Sequence, residues 1–187
     1  MTGADTAHGR ESDRMSDLSF RLMTWAFAAI DLVHPHVEAR AGSFGIREGT
    51  TVVDYGCGPG RYTLPFARLA GAGGRVYAVD VQELALETVR RKALKAKFGS
   101  IIPVLACGYD CPLPDDCADL ICALDMFFGV REPTRFLAEL RRLVKPEGTL
   151  MIDDGHQTRR VTKDKIAASG TWHIVRETPD VLTCAPV

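Results

Sequence analysis

The sequence predicts an α/β fold, a doubly wound and mostly parallel sheet of seven strands, on three observations. Short β-branched runs alternate with helical stretches, the first run breaks into a glycine-rich turn, and 187 residues suit one hydrophobic core rather than two. Strands alternating with helices are joined by right-handed crossovers, which lay helices on both faces of the sheet.

Residues 1–14 are polar and without periodicity, and read as a disordered tail, which leaves a single domain over 15–187. From Ser16, apolar residues recur at three-to-four spacing (Leu18, Leu22, Trp25, Ala26, Ala29, Ile30, Val33), the pattern of an amphipathic helix that Pro35 ends or kinks. Phe20 and Trp25 are expected to face the core. Thr51 to Tyr55 is the first strand, and Arg61 to Ala70 a helix stopped by Gly71-Ala72-Gly73-Gly74. Arg75 to Val79 is the second strand, ending in Asp80; Glu83 to Phe98 is a helix and Ile101 to Ala106 the third strand. Asp119 to Leu124 is the fourth, Pro133 to Lys145 a helix with proline in its first turn, Pro146-Glu147-Gly148 a turn and Thr149 to Asp153 the fifth strand. A short helix (Lys163 to Ala168) precedes Trp172 to Glu177 and Val181 to Ala185, which flank Thr178-Pro179-Asp180 as a closing hairpin.

The composition, 46% hydrophobic and 25% charged, is that of a soluble globular protein. With 23 basic against 24 acidic side chains the net charge is -1, so nothing points to nucleic acid or an anionic membrane as partner. The apolar stretch from Leu22 to Val33 is interrupted by Asp31 and is too short for a membrane span or a signal peptide, so a cytoplasmic location is expected. The six cysteines (Cys57, Cys107, Cys111, Cys117, Cys122, Cys184) then read as reduced thiols. Soft thiolates also suit soft ions, but paired C-x-x-C knuckles are absent and no metal is expected.

The junction after the first strand carries chemistry. Gly56, Gly58 and Gly60 let the backbone turn sharply and approach a ligand, and the carboxyl ends of strands in such sheets are where ligands sit. Asp80, ending the next strand, stands ready to accept two ribose hydroxyl hydrogens. A dinucleotide site wants G-x-G-x-x-G, whereas here Gly56-x-Gly58-x-Gly60 is followed by Arg61 and preceded by Asp54, which suits a cationic, phosphate-free ligand better.

Val52 to Gly60 resembles motif I of the class I S-adenosylmethionine-dependent methyltransferases, in particular the small-molecule, ubiquinone/menaquinone-biosynthesis-type branch. The resemblance continues over roughly residues 45–155: Val76-Tyr77-Ala78-Val79-Asp80 is similar to the ribose-binding strand, Leu113 to Asp119 to the stretch before the fourth strand, and Phe136 to Ile152 to the following helix, turn and strand. It implies a Rossmann-like methyltransferase fold with an N-terminal lid helix, and S-adenosylmethionine as cofactor with S-adenosylhomocysteine as product. The implied cofactor residues are Asp54, Gly56, Cys57, Gly58, Gly60, Asp80, Val81, Cys107, Gly108, Tyr109 and Leu124. The family's acidic residue at the adenine falls on Cys107, so Tyr109, Asp110 or backbone at Gly108 would have to serve instead. Where relatives carry a histidine after the fourth strand, this chain has Phe128.

On the acceptor side, Asp125 either lines the cleft or caps a loop or pairs with Arg131, and Phe127 and Phe128 either close over an acceptor or pack in the core. Methyl transfer needs the reactants held close and dry, and a base only where the acceptor must lose a proton. His156, just past the fifth strand, is the one candidate for that base; its other reading is a solvated loop residue. The expected reaction is methylation of a small molecule, with a homodimer or a small activator subunit as the partners to look for. The alternatives are a cofactor-binding scaffold without catalysis and a macromolecule methyltransferase that needs the activator.

Overall fold

The computed structural model describes residues 16–33 and 36–187, with the side chains of Met23 and 27–33 left out. The expected tail over 1–14 and the break at Pro35 lie outside the described residues. The elements are α1 (Asp17–Val33), α2 (His36–Gly42), β1 (Thr51–Tyr55), α3 (Thr63–Ala70), β2 (Arg75–Asp80), α4 (Glu83–Ala96), β3 (Ile101–Leu105), β4 (Ala118–Ala123), α5 (Pro133–Leu143), β5 (Val144–Ile152), α6 (Arg159–Ser169), β6 (Trp172–Glu177) and β7 (Leu182–Pro186), with a short 3-10 turn at Phe127–Gly129.

The seven strands form one sheet in the order β3-β2-β1-β4-β5-β7-β6. β1 to β5 run parallel, and β7 lies antiparallel between β5 and β6. The strand order reverses between β1 and β4, which opens a crevice above their carboxyl ends. Burial on both faces explains why the strands read as near-continuous apolar runs: Val52 packs with Phe66, Leu86 and Val89 under α2, α3 and α4, while Val53 packs with Ile121, Phe136 and Leu140 under α5 and α6. Helix α5 starts on Pro133 and turns Phe136, Leu137, Leu140 and Leu143 fully inward. Trp172 Nε1 donates to the Leu137 carbonyl at 2.9 Å and ties β6 beneath it.

The differences from the expected boundaries have local causes. Helix α3 begins at Thr63 because the preceding residues close the glycine loop, with Gly60 N–H on the Cys57 carbonyl at 2.9 Å. Helix α4 ends at Ala96 because Lys97 adopts the left-handed conformation at φ 58°. The expected turn at 146–148 is a bulge inside β5: Ala118 pairs with Val144, then Leu120 with Thr149. Helix α1 departs most. Phe20 is buried, but Leu18, Leu22 and Trp25 are 69%, 65% and 79% exposed, which corrects the expectation that Trp25 faces the core. The apolar spacing made the helix, but among its described side chains Phe20 is buried, at the cleft, while Leu18, Leu22 and Trp25 face outward.

Tyr55 and Tyr109 meet Phe136 edge to face and Phe127 meets it tilted, with ring centroids 5.3 to 5.9 Å apart. Truncating Phe136 to alanine is expected to cost about 3–5 kcal/mol, measured as a lower urea midpoint with unchanged slope.

Candidate active site

Backbone geometry builds the site first. After β1 the chain turns at Gly56, whose amide donates with that of Cys57 to the Val79 carbonyl at 2.8 and 3.0 Å, binding the loop to the end of β2. Gly56 has φ 77°, and a β-carbon there would meet Met126 Cγ at 2.9 Å, so a side chain is excluded on two counts. The Asp80 carboxylate closes the arrangement, accepting from Gly58 N–H and Gln82 N–H, each at 2.8 Å. Gln82 in turn donates to Asp17 at 3.0 Å and anchors α1, whose Phe20 covers the opening.

The result is a cleft of about 400 Å³ above β1, β2 and β4. Asp54, Gly56, Cys57, Gly58, Asp80 and Val81 line it from the loop side, and Gly108, Tyr109 and Leu124 from the other, as do Asp125 and Phe128. Gly60 and Cys107 are outside the lining, with Cys107 exposed in a two-residue bridge to Asp110. The Tyr109 hydroxyl accepts the N–H groups of Arg131 and Glu132 at 3.2 Å, and Tyr55 donates to its carbonyl at 2.8 Å, so the ring is a fixed wall.

Burial pushes the Asp54 carboxyl up to about 7, opposed by the Thr63 hydroxyl donating to it at 2.5 Å and reinforced by Asp80. Burial also raises Asp80, against the amides of Gln82, Gly58 and Val81 that favour its ionised form. Cys57, Cys111, Cys122 and Cys184 are buried, and burial holds the Cys57 and Cys122 thiols well above their ordinary value. Among the described residues, no three His, Cys, Asp or Glu side chains converge as a metal site, and no helix is long and apolar enough to cross a membrane.

The acceptor side rests on contacts between elements far apart in sequence. Asp125 adopts φ 56°, rare for a residue other than glycine, and is held there by its N–H on Asp153 Oδ1 at 2.9 Å. Its carboxylate pairs with Arg61 at 3.3 Å. Arg40 holds Asp153 at 2.8 Å, and also donates to Tyr62 Oη and the Asp180 carbonyl at 2.7 and 2.9 Å. Arg40, Arg61 and Tyr62 went unnoticed in the sequence, since no spacing rule links them to Asp125 or Asp153. His156 is exposed and lies outside the cleft lining; its ring meets Phe128 edge to face at 4.7 Å. Phe128 sits over Gly155, where a β-carbon would fall 2.3 Å from Phe128 Cδ1. Phe127 is fully buried in the core.

Residues 53–152, more than half of the chain, match the methyltransferase domain family. The chain belongs to that family. By that family it is a class I S-adenosylmethionine-dependent methyltransferase domain, and S-adenosylmethionine is the family's cofactor. Among relatives of this methyltransferase, the ubiquinone/menaquinone biosynthesis C-methyltransferase UbiE of Cupriavidus taiwanensis is 37% identical over 112 residues, 58% of this chain and 44% of the relative. The protein of the same name from Burkholderia cenocepacia is 33% identical over 144 residues, 75% of this chain and 54% of the relative. The chain thus spans about half the length of these relatives. A crystal structure of a SAM-dependent methyltransferase from Aquifex aeolicus shares the fold, with a TM-score of 0.77 at 24% identity over 99% of this chain and 100% of that one.

Because the folded state holds a proton on Asp54 up to about pH 7 while the unfolded chain releases it near 3.8, Asp54 favours folding fully below about pH 4 and loses that contribution as pH rises through 7. Urea titrations at pH 5 and pH 8 should therefore show a larger loss of stability for the wild type than for Asp54→Asn.

Proposed function

We propose that one domain over 15–187 transfers the methyl group of S-adenosylmethionine to a small-molecule acceptor, in the cytoplasm. The observation that carries this reading is the Asp80 carboxylate set against the Gly58 amide at the edge of the cleft. The chain's residues fit the cofactor in charge as well as shape. Asp54 is a buried acid in the loop strand, its pKa raised to about 7 by burial and by Asp80, and the cationic amino-acid end of the cofactor would favour its ionised form.

In this reading Asp80 accepts the ribose hydroxyls, Asp54 and the amides of 56–58 face the amino-acid end, and Val81, Gly108, Tyr109 and Leu124 enclose the adenine. Cys107, exposed beyond the lining, supplies no carboxylate there, and the backbone at Gly108 serves instead. The cofactor supplies a methyl group on a sulfonium, whose positive charge disappears in an in-line displacement. The protein's part is to hold donor and acceptor about 3 Å apart and to exclude water, which Phe20, Met126 and Phe128 do from above the cleft. Asp125, paired with Arg61, lies in the cleft lining on the acceptor side, and His156 does not.

The exposed Leu18, Leu22 and Trp25 favour a second reading in which a partner, another copy or a small activator subunit, covers α1 during turnover.

Calorimetry should show S-adenosylmethionine binding to the wild type, weakened about a hundredfold by Asp80→Ala, since a charged hydrogen-bond acceptor shared by ligand and loop is removed. Absence of binding to the wild type would sink the reading. As ionised Asp54 attracts the cationic ligand, affinity should increase as pH rises through about 7, and Asp54→Asn should flatten that dependence.

A further inference from the structure

A separate groove lies at the amino ends of β2 and β3, the opposite end of the sheet from the cleft. It measures about 540 Å³, within the roughly 300–1,000 Å³ of small-molecule sites. Its walls come from the end of α3, the loop at 71–74 and the chain that leads from Lys97 into β3. The charged side chains that line it are all cationic, namely Arg68, Arg75 and Lys97, and the Ser100 hydroxyl and the Phe98 ring line it with them. Arg68 is paired with Glu38, and Glu48 lies against Gly71 at the rim. Arg75 and Lys97 hold neither an ion pair nor a side-chain hydrogen bond among the described residues, so theirs is the uncompensated charge.

The surroundings carry the same sign. From Thr88 to Tyr109 the sequence has five basic residues, Arg90, Arg91, Lys92, Lys95 and Lys97, and no acidic one, in a chain whose net charge is -1. Arg90, Arg91 and Lys95 are exposed on α4, which runs down to the groove at Lys97. A field of one sign around a recess draws in anions and raises their local concentration. The backbone is also bare at the recess. A β-carbon on Gly99 would meet nothing within 4 Å, and its φ is outside the positive range that favours glycine. Neither packing nor backbone strain calls for glycine there, while the missing side chain leaves the backbone at Gly99 and Ser100 approachable by a ligand.

Uncompensated cations from two separate segments, around a recess of nucleotide size, match a chain of phosphates better than a single one, and arginine and lysine are the usual partners of phosphate oxygens. We propose that this groove is a second ligand site that takes an oligophosphate, carried by a nucleotide or free, with Arg75, Lys97 and Ser100 on the phosphates. Phe98 supplies the flat apolar contact that a nucleotide's base would use. The site is distinct from the methyl-donor cleft, and no bond is made or broken in it.

The test uses the full chain, labelled with nitrogen-15 and followed by NMR at low salt. The probes are inorganic triphosphate, cytidine monophosphate, cytidine triphosphate and hexauridylate; cytidine is chosen because an adenine could enter the donor cleft. Cytidine triphosphate is expected to shift the amides of Arg75 and of residues 97–102, to leave those of 56–60 in place, and to bind about tenfold more tightly than the monophosphate. Arg75→Gln combined with Lys97→Gln should weaken it about tenfold, Arg75→Lys combined with Lys97→Arg should retain most of the affinity, and Arg90→Gln combined with Arg91→Gln should change it by less than about twofold. Cytidine triphosphate binding more tightly than inorganic triphosphate identifies a nucleotide as the ligand, and equal affinity identifies the free oligophosphate; both support the site. No binding, shifts confined to the glycine loop, equal losses from the two glutamine pairs, or tighter binding of hexauridylate than of cytidine triphosphate would each overturn it. None of these readouts depends on S-adenosylmethionine, so the donor reading and this site stand or fall separately.

Discussion

The carboxylate of Asp80, fastened between the amides of Gly58 and Gln82, is the interaction on which the rest of the site depends. It joins the loop after β1 to the end of β2, and with the Val79 carbonyl accepting from Gly56 and Cys57 it keeps the backbone folded back on itself at the strand reversal. Through Gln82 the same junction reaches Asp17 and sets the lid helix over the cleft. A buried acidic side chain is costly unless it is paired. Here the pairing is with backbone amides, so the carboxylate stabilises the loop while standing at the cleft's edge.

A second buried acid works differently. Asp54 has one hydrogen bond, from Thr63, and burial dominates, so its proton is retained to about pH 7. Asp54 is thus a solitary buried acid, which distinguishes it from Asp153, held by Arg40 in the network that fixes Asp125. The site therefore sets Asp54, protonated below about pH 7, on the cofactor side and the matched pair of Arg40 and Asp153 behind Asp125.

Much of this architecture was legible in the sequence. Strands β1, β2 and β4 are buried on both faces and so read as short apolar runs. Asp54, Gly56 and Asp80 stand out because the turn between parallel strands constrains which residues can occupy it. What escaped notice depends on contacts that no local pattern encodes: Arg40 reaches Asp153 across 113 residues, and Arg61 reaches Asp125 across 64. The helical period of α1 placed apolar residues correctly on a helix but carried no information on whether anything covers them, as Trp25 demonstrates. For His156, nearness to a strand end was a poor guide to direction, since Gly155 at φ 53° intervenes and the ring ends against Phe128.

The central claim, that the Asp80 junction and the Asp54 loop form a methyl-donor site, is tested most directly by a crystal structure of the chain with S-adenosylhomocysteine. The account predicts the ribose hydroxyls on the Asp80 carboxylate, the amino-acid end beside Asp54 and Gly56, and the sulfur facing Asp125. A ligand bound elsewhere, or one seated in the cleft with its ribose away from Asp80, would contradict it.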